Sequence, residues 1–117
     1  MENKIERETP MEIEDTETGR VYVLDFNRET RAWAEERGFN WDGIEDHIAT
    51  YVPLIWFAAF RRYEPRISLE KTTKMLEELG GLQPKWAVKL KKLYDQAVEA
   101  LVAEDGETKN GKLTVRL

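Results

Sequence analysis

The sequence contains no cysteine and only one histidine among its 117 residues. Without cysteine there is neither a disulfide framework nor a thiolate zinc site, which suits a reducing cytoplasm. His47 has no second histidine to complete a metal site and no fixed nucleophile to activate. We interpret it as an exposed helical histidine beside Glu45 and Asp46, rather than as a metal ligand or a general base. The sequence therefore predicts no catalytic residue, no metal and no cofactor, and we do not expect an enzyme.

Signals for export, membrane insertion and phosphate binding are lacking as well. The N-terminal stretch has no basic start followed by an apolar core, as a signal peptide would. The longest apolar block, Tyr51 to Phe60, is much shorter than the roughly 20 residues that a membrane-spanning helix needs. Gly80 and Gly81 are not followed by the Lys-Ser or Lys-Thr pair of a phosphate-binding loop. We expect a cytoplasmic protein with no membrane partner.

Acidic residues outnumber basic ones, and the formal net charge is -5. Only residues 61–92 reverse this balance, with nine bases against four acids. Such a local excess could bind nucleic acid, but on a helical chain it is more often a solvated face. Because no recognition motif accompanies it, we do not expect nucleic-acid binding to be the main function.

What the sequence does have is enough apolar residues to fold, since 41% are hydrophobic. We predict an α+β fold that is mostly α-helical, with an N-terminal β-hairpin, four or five helices and a possible short C-terminal strand. Residues 1–10 are expected to form a flexible acidic N-terminus, residues 11–103 a single globular domain, and residues 104–117 a tail. Strands confined to the ends of the chain argue against a parallel doubly wound sheet.

The N-terminal half predicts a hairpin followed by a short helix. The stretches "MEIED" and "RVYVLDF" have strand composition, and "TETGR" between them supplies a glycine for the turn. Asn27 is a good N-cap and Gly38 a good C-terminal residue for a helix between them, which we expect to be docked mainly by Trp33.

The apolar block "YVPLIWFAAF" extends a second helical segment that runs from Asp42 or Gly43 to Tyr63. Pro53 predicts a kink or a break near Val52, because it lacks the N–H that would bond to the carbonyl of Ala49. Beyond Pro53 the block is apolar on all sides, which is typical of a helix buried on all sides.

Two further helices and a tail complete the chain. Ser68 is a plausible N-cap for a helix that ends at Gly80 and Gly81. The last helix begins at Pro84, and its apolar stripe extends to Leu101. The tail shows alternating Leu113, Val115 and Leu117, so that a short terminal strand could add to the hairpin or the tail could stay loose.

The layout as a whole resembles a known class of proteins. It combines a hairpin running into a helix, the aromatic segment "LIWFAAFRR", and an "ISLEKT" helix start with "LGGL" at its end. Over roughly residues 11 to 117 it looks like the small proteins encoded in the tail modules of phages and prophages of Gram-positive bacteria. It is similar in size and layout to the tail assembly chaperones, whose genes lie between those of the major tail protein and the tape measure protein.

The resemblance implies a non-enzymatic protein that coats the apolar, helical tape measure protein before the tail tube polymerises around it. Such chaperones self-associate and often occur as a short form and a frameshifted extension, so a homo-oligomer is an option. The alternative is another structural or regulatory phage protein, such as a tail completion component or a small nucleic-acid binder that uses residues 61–92.

The partner-binding residues predicted for this role combine aromatic and basic side chains. The apolar block is either the central core helix or the apolar half of a groove for the client, and Arg61 and Arg62 mark its return to solvent. Tyr51, Trp56 and Phe60 are the best candidates within it to reach the surface. The full predicted set is Tyr51, Trp56, Phe60, Arg61, Arg62 and Trp86.

Overall fold

A computed structural model describes residues 7–102 and 112–117 of the protein. Within them a two-stranded antiparallel sheet precedes a mostly helical region, which confirms the predicted α+β fold. The strands are β1 (Met11–Glu14) and β2 (Val21–Leu24), and the α-helices are α1 (Arg28–Glu36), α2 (Ile48–Phe60), α3 (Leu69–Glu78) and α4 (Pro84–Gln96). Short 3₁₀ helices cover Trp41–Asp46 and Glu99–Leu101. Within residues 7–102 and 112–117, none of the helices has the length and apolar composition needed to cross a bilayer.

The hairpin has the register that its alternating pattern predicts. Met11 pairs with Leu24 and Ile13 with Tyr22, so that the larger apolar side chains share the face that packs on the helices. Glu12 and Glu14 lie on the other face. Gly19 closes the turn at a φ of 78°, a left-handed conformation that glycine adopts without steric cost.

The starts of α1 and α3 are set by the side chains that the sequence indicates. Asn27 accepts a hydrogen bond from the amide of Thr30 at 2.8 Å, and the Thr30 hydroxyl accepts one from the amide of Asn27 at 2.9 Å. Ser68 likewise accepts from the amide of Lys71 at 3.0 Å. These bonds satisfy amides that the first turn of a helix leaves without a partner.

The helix containing the apolar block differs from its prediction in where it begins. Residues 41–46 form a 3₁₀ helix. The helical conformation is interrupted at His47, whose φ and ψ are -138° and 48°. The α-helix then runs across Pro53 to Phe60. The break expected near Val52 is therefore absent, because the burial of the residues after Pro53 outweighs the loss of one backbone hydrogen bond, and the interruption lies five residues earlier.

The two ends of the chain also differ from expectation. Residues 1–10 are predicted to form a flexible acidic N-terminus, of which residues 1–6 lie outside the described part of the chain. Within residues 7–10 the amide of Glu8 donates to Gln96 Oε1 at 2.7 Å, and Lys89 Nζ lies 3.0 Å from Glu8 Oε1. Helix α4 ends at Gln96 rather than near Leu101, because the core that it covers ends at Ala97. The optional terminal strand does not form within residues 112–117, which are irregular and exposed.

The core is one continuous cluster around α2. Helix α2 packs on α1, α3 and β2, and α4 adds Leu90, Leu93 and Tyr94 to the cluster. The backbone amide of Asp25, just after β2, donates to the carbonyl of Ala59 at 3.0 Å. The hairpin is therefore fixed to the C-terminal half of the central helix.

Candidate functional site

Two of the predicted partner-binding residues belong to the core. Trp56 and Phe60 have no exposed surface, so the prediction that they reach the surface is wrong. The indole N–H of Trp56 donates to the carbonyl of Thr72 in α3 at 2.8 Å, and the Trp56 and Phe60 rings meet edge to face at 5.5 Å. Both side chains are covered because helices pack on several sides of α2. The second half of the apolar block is therefore the central core helix and not an exposed groove.

Tyr51 lies half-buried at the edge of an aromatic cluster. Its ring centroid is 5.5 Å from that of Phe39 and 5.2 Å from that of His47. Phe39 in turn contacts Trp41 and Tyr94 at 5.0 and 5.6 Å. These contacts give Tyr51 a packing role that accounts for its position without a partner.

Arg62 binds a carboxylate of its own chain, and Trp86 lies in α4. The guanidinium of Arg62 binds the side chain of Asp25 at 2.7 Å, and the other oxygen of this carboxylate accepts the amide of Phe26 at 2.8 Å. The Asp25 side chain is only 9% exposed, so the cation of Arg62 neutralises an acid of its own chain. Trp86 lies half-buried in the first turn of α4, outside the core cluster.

Arg61 is the last of the predicted partner-binding residues, and it contacts side chains that the prediction did not include. Its guanidinium carbon lies 4.5 Å from the centroid of the Trp33 ring and 5.5 Å from that of Phe57. The Arg37 guanidinium lies 3.9 Å from the same Trp33 ring, and Trp33 and Phe57 meet edge to face at 5.4 Å. We call these four residues, Trp33, Arg37, Phe57 and Arg61, the arginine-aromatic surface.

Helix geometry explains how the sequence forms the arginine-aromatic surface. Trp33 and Arg37 are four residues apart at the end of α1, and Phe57 and Arg61 are four residues apart at the end of α2. Residues at this spacing lie on the same face of a helix, so each arginine covers its own aromatic ring. The packing of α1 on α2 then brings the two pairs together. Two aromatic–arginine pairs at this spacing were the signal that could have located the surface from the sequence.

Trp33 packs against the core as expected of a residue that docks α1, but it shares this role with other residues and keeps part of its ring exposed. The residues that α1 buries are Thr30 and Ala34, whereas Trp33 is half-buried and Arg37 is exposed. The structure thus leaves part of a large aromatic ring and two guanidinium groups accessible on one side of the molecule.

The cations of this surface have few carboxylate partners. Within the described residues, no Asp or Glu oxygen lies within ion-pair distance of Arg61, and Arg37 approaches Glu36 only at 4.0 Å. Arg37 instead donates to the carbonyl of Trp33 at 3.1 Å. A guanidinium that stacks on a ring keeps N–H donors at its edge, so the surface can accept a carboxylate beside an apolar group.

His47 is exposed, and its Nδ1 lies 3.2 Å from the carbonyl oxygen of Gly43. In the part of the chain that the structure describes, no three His, Cys, Asp or Glu side chains are grouped so that they could hold a metal ion. The contacts of His47 are therefore those of a residue at a helix boundary.

Comparison with known proteins gives a family but no functional relative. No curated protein and no solved structure matches the chain. One family model matches residues 2–117, which is almost the entire sequence. The chain therefore belongs to the family described as Domain of unknown function (DUF5055).

Proposed function

We propose that the protein is a non-enzymatic tail assembly chaperone or adaptor that binds the tape measure protein in the cytoplasm of the host cell. The observation that supports a binding role is the arginine-aromatic surface. The sequence resemblance to tail-module proteins supports the choice of partner. No catalytic group is needed for this function, since the work is done by contact with the partner.

The residue types of this surface are those that contribute most to protein binding. Trp and Arg are enriched among interface residues whose truncation costs more than about 2 kcal/mol. Trp33 and Phe57 provide apolar area, and Arg37 and Arg61 provide donors at its border. Their arrangement suits an amphipathic helix with Asp or Glu beside its apolar stripe, because such a helix presents both groups at once.

A charge reversal at Arg61 tests the proposal. The test requires a tape measure gene beside the gene for this chain. The two are co-expressed, and the complex is measured by co-purification and by the amount of soluble tape measure protein. We expect the wild-type chain to form a complex and to increase this soluble amount. Arg61→Glu is expected to weaken the complex about tenfold or more, because it replaces a donor to the partner's carboxylates with a like charge.

Arg66→Glu is the matched control. Arg66 is exposed and makes no ion pair or ring contact within the described residues, while the change in net charge is the same. If both variants weakened the complex equally, net charge rather than this surface would account for binding. If the wild-type chain gave neither a complex nor soluble tape measure protein, the chaperone function would be rejected.

Nucleic-acid binding by residues 61–92 has less support. Its cations are spread over the end of α2, α3 and α4, and several of them bind groups of the same chain. Arg62 pairs with Asp25, Lys89 with Glu8 and Lys91 with Asp95. To support this alternative, the protein would have to shift the electrophoretic mobility of labelled DNA at modest ionic strength, and added salt would have to abolish the shift.

A further inference from the structure

The N-terminal hairpin has an open edge beside a groove that is lined by both charged and apolar residues. Strand β1 pairs only with β2 in the described part of the chain, which leaves backbone groups on its outer edge without a strand partner. A cavity of about 520 Å³ lies between the turn end of the hairpin and α3. Its apolar lining residues are Ile13, Tyr22, Met75 and Leu79. A third strand beside β1 would place the side chains of one face over this groove.

The charges around the groove restrict which strand can bind. Glu14, Asp15, Glu17 and Glu78 line the cavity together with only two bases, Lys71 and Lys74. Glu12 and Glu14 alternate with the apolar residues of β1, and neither takes part in an ion pair within the described residues. Pairing of β1 with a second β1 would bring these carboxylates together, which is unfavourable. A strand with basic residues between apolar ones would instead complement them.

The C-terminal residues have this complementary pattern. Leu113, Val115 and Leu117 alternate with Thr114 and Arg116 in "KLTVRL", and all of residues 112–117 are exposed. As a strand, this segment would present three apolar side chains on one face and Arg116 on the other. The apolar face could pack on Ile13 and the groove, and Arg116 could pair with the carboxylates of Glu12 and Glu14.

We propose that the C-terminal strand segment, residues 113–117, of one copy of the chain adds to β1 of a second copy and covers its groove. Two such additions related by twofold symmetry would make a dimer that exchanges its tails. The chain is long in one direction, with extents of 54, 32 and 28 Å. Its radius of gyration of 16.8 Å exceeds the roughly 13 Å of a compact chain of this length. Residues 113–117 are exposed as well. This inference does not depend on the identity of any other partner.

Sedimentation velocity on the full-length chain, over a range of concentrations, tests the dimer. We expect the wild type to change from monomer to dimer as concentration increases. Arg116→Glu and Glu14→Arg should each raise the dissociation constant about fivefold to tenfold, because each replaces an attractive cross-strand pair with a repulsive one. The double variant should recover most of the loss, since the pair is restored with reversed charges.

A pair of valine variants provides the control for apolar contact. Val115 and Val102 are each 74% exposed, but only Val115 lies in the proposed strand. Val115→Ser should weaken the dimer, whereas Val102→Ser should leave its dissociation constant unchanged. Hydrogen exchange at the amides of residues 11–14 should slow as the dimer forms.

Three results would overturn the proposal. One is a wild-type chain that stays monomeric at every concentration. A second is a dimer that the charge reversals and Val115→Ser leave unchanged. The third is slow exchange in β1 that depends on Arg116 in a monomeric protein, which would mean that the tail binds to its own hairpin.

Discussion

Tyr94 shows how one side chain joins distant parts of this chain. Its ring lies 5.1 Å from Phe26, 5.6 Å from Phe39 and 5.8 Å from Trp41. The guanidinium of Arg31 stacks on it at 4.3 Å. Burial raises the pKa of the Tyr94 phenol above its usual value of 10.0, and the nearby Arg31 opposes this shift only in part.

The raised pKa predicts a stability change at alkaline pH. The folded state holds the phenol proton more tightly than the unfolded state does. The stabilisation is therefore complete below the unfolded-state pKa near 10.0 and is lost as pH rises through the folded-state pKa. We expect the free energy of unfolding of the wild type to fall more steeply than that of Tyr94→Phe as pH rises above about 10. Urea unfolding at a series of pH values measures both slopes, and equal slopes would contradict the prediction.

Single residues were predictable from the sequence where their role is local. Asn27 and Ser68 cap helices as expected, because a cap depends on groups within three residues. The burial of Trp56 was not predictable, because it depends on packing against α3, whose Thr72 is 16 residues away. The arginine-aromatic surface lies between these cases: each pair is local, but their meeting depends on how α1 and α2 pack.

At the scale of elements, α2 contains the main conflict between local preference and packing. Pro53 is inside the helix, where it lacks the N–H that would bond to the carbonyl of Ala49. The residues after it nevertheless remain helical, and Ile55, Trp56 and Phe60 are fully buried. The sequence identified the conflict but not its outcome, because the energy of burial depends on the neighbouring helices.

Replacement of this proline should stabilise the protein. Pro53→Ala restores one backbone donor within α2 and removes the ring from the turn, so we expect the free energy of unfolding to rise by about 1–3 kcal/mol. Urea unfolding followed by circular dichroism measures the change.

Pro84 provides the matched control for this prediction. It is the first residue of α4, where an N–H would have no partner within the helix. Pro84→Ala should therefore change the free energy of unfolding by no more than about 0.5 kcal/mol. A Pro53→Ala variant that was no more stable than wild type would mean that the proline ring contributes packing equal to the lost hydrogen bond.

At the scale of the whole molecule, α3 is held to the rest mainly through α2. The bond from the Trp56 indole to the Thr72 carbonyl joins the two helices at the centre of the core. Leu76 and Thr72 are the buried residues of α3. Trp56 therefore contributes both apolar burial and a hydrogen bond at this junction.

Two conservative variants distinguish this tryptophan from one outside the core. Trp56→Phe should lower the free energy of unfolding by about 2–4 kcal/mol, because it loses a buried hydrogen bond and leaves unfilled volume. Trp86→Phe should lower it by less than about 1 kcal/mol, since Trp86 is half-buried and outside the core cluster. Urea unfolding followed by far-ultraviolet circular dichroism gives both values. Similar losses in the two variants would contradict the central role of Trp56.

The contacts of α4 have a consequence for the way the protein is made. Phe26 and Phe39, near the start of the chain, are covered by Tyr94, near its end. A ribosome releases the first two aromatic residues well before the third, so the nascent chain carries an incomplete core until α4 has emerged. The core of this protein can therefore close only after α4 has been synthesised, and until then Phe26 and Phe39 lack the ring that covers them.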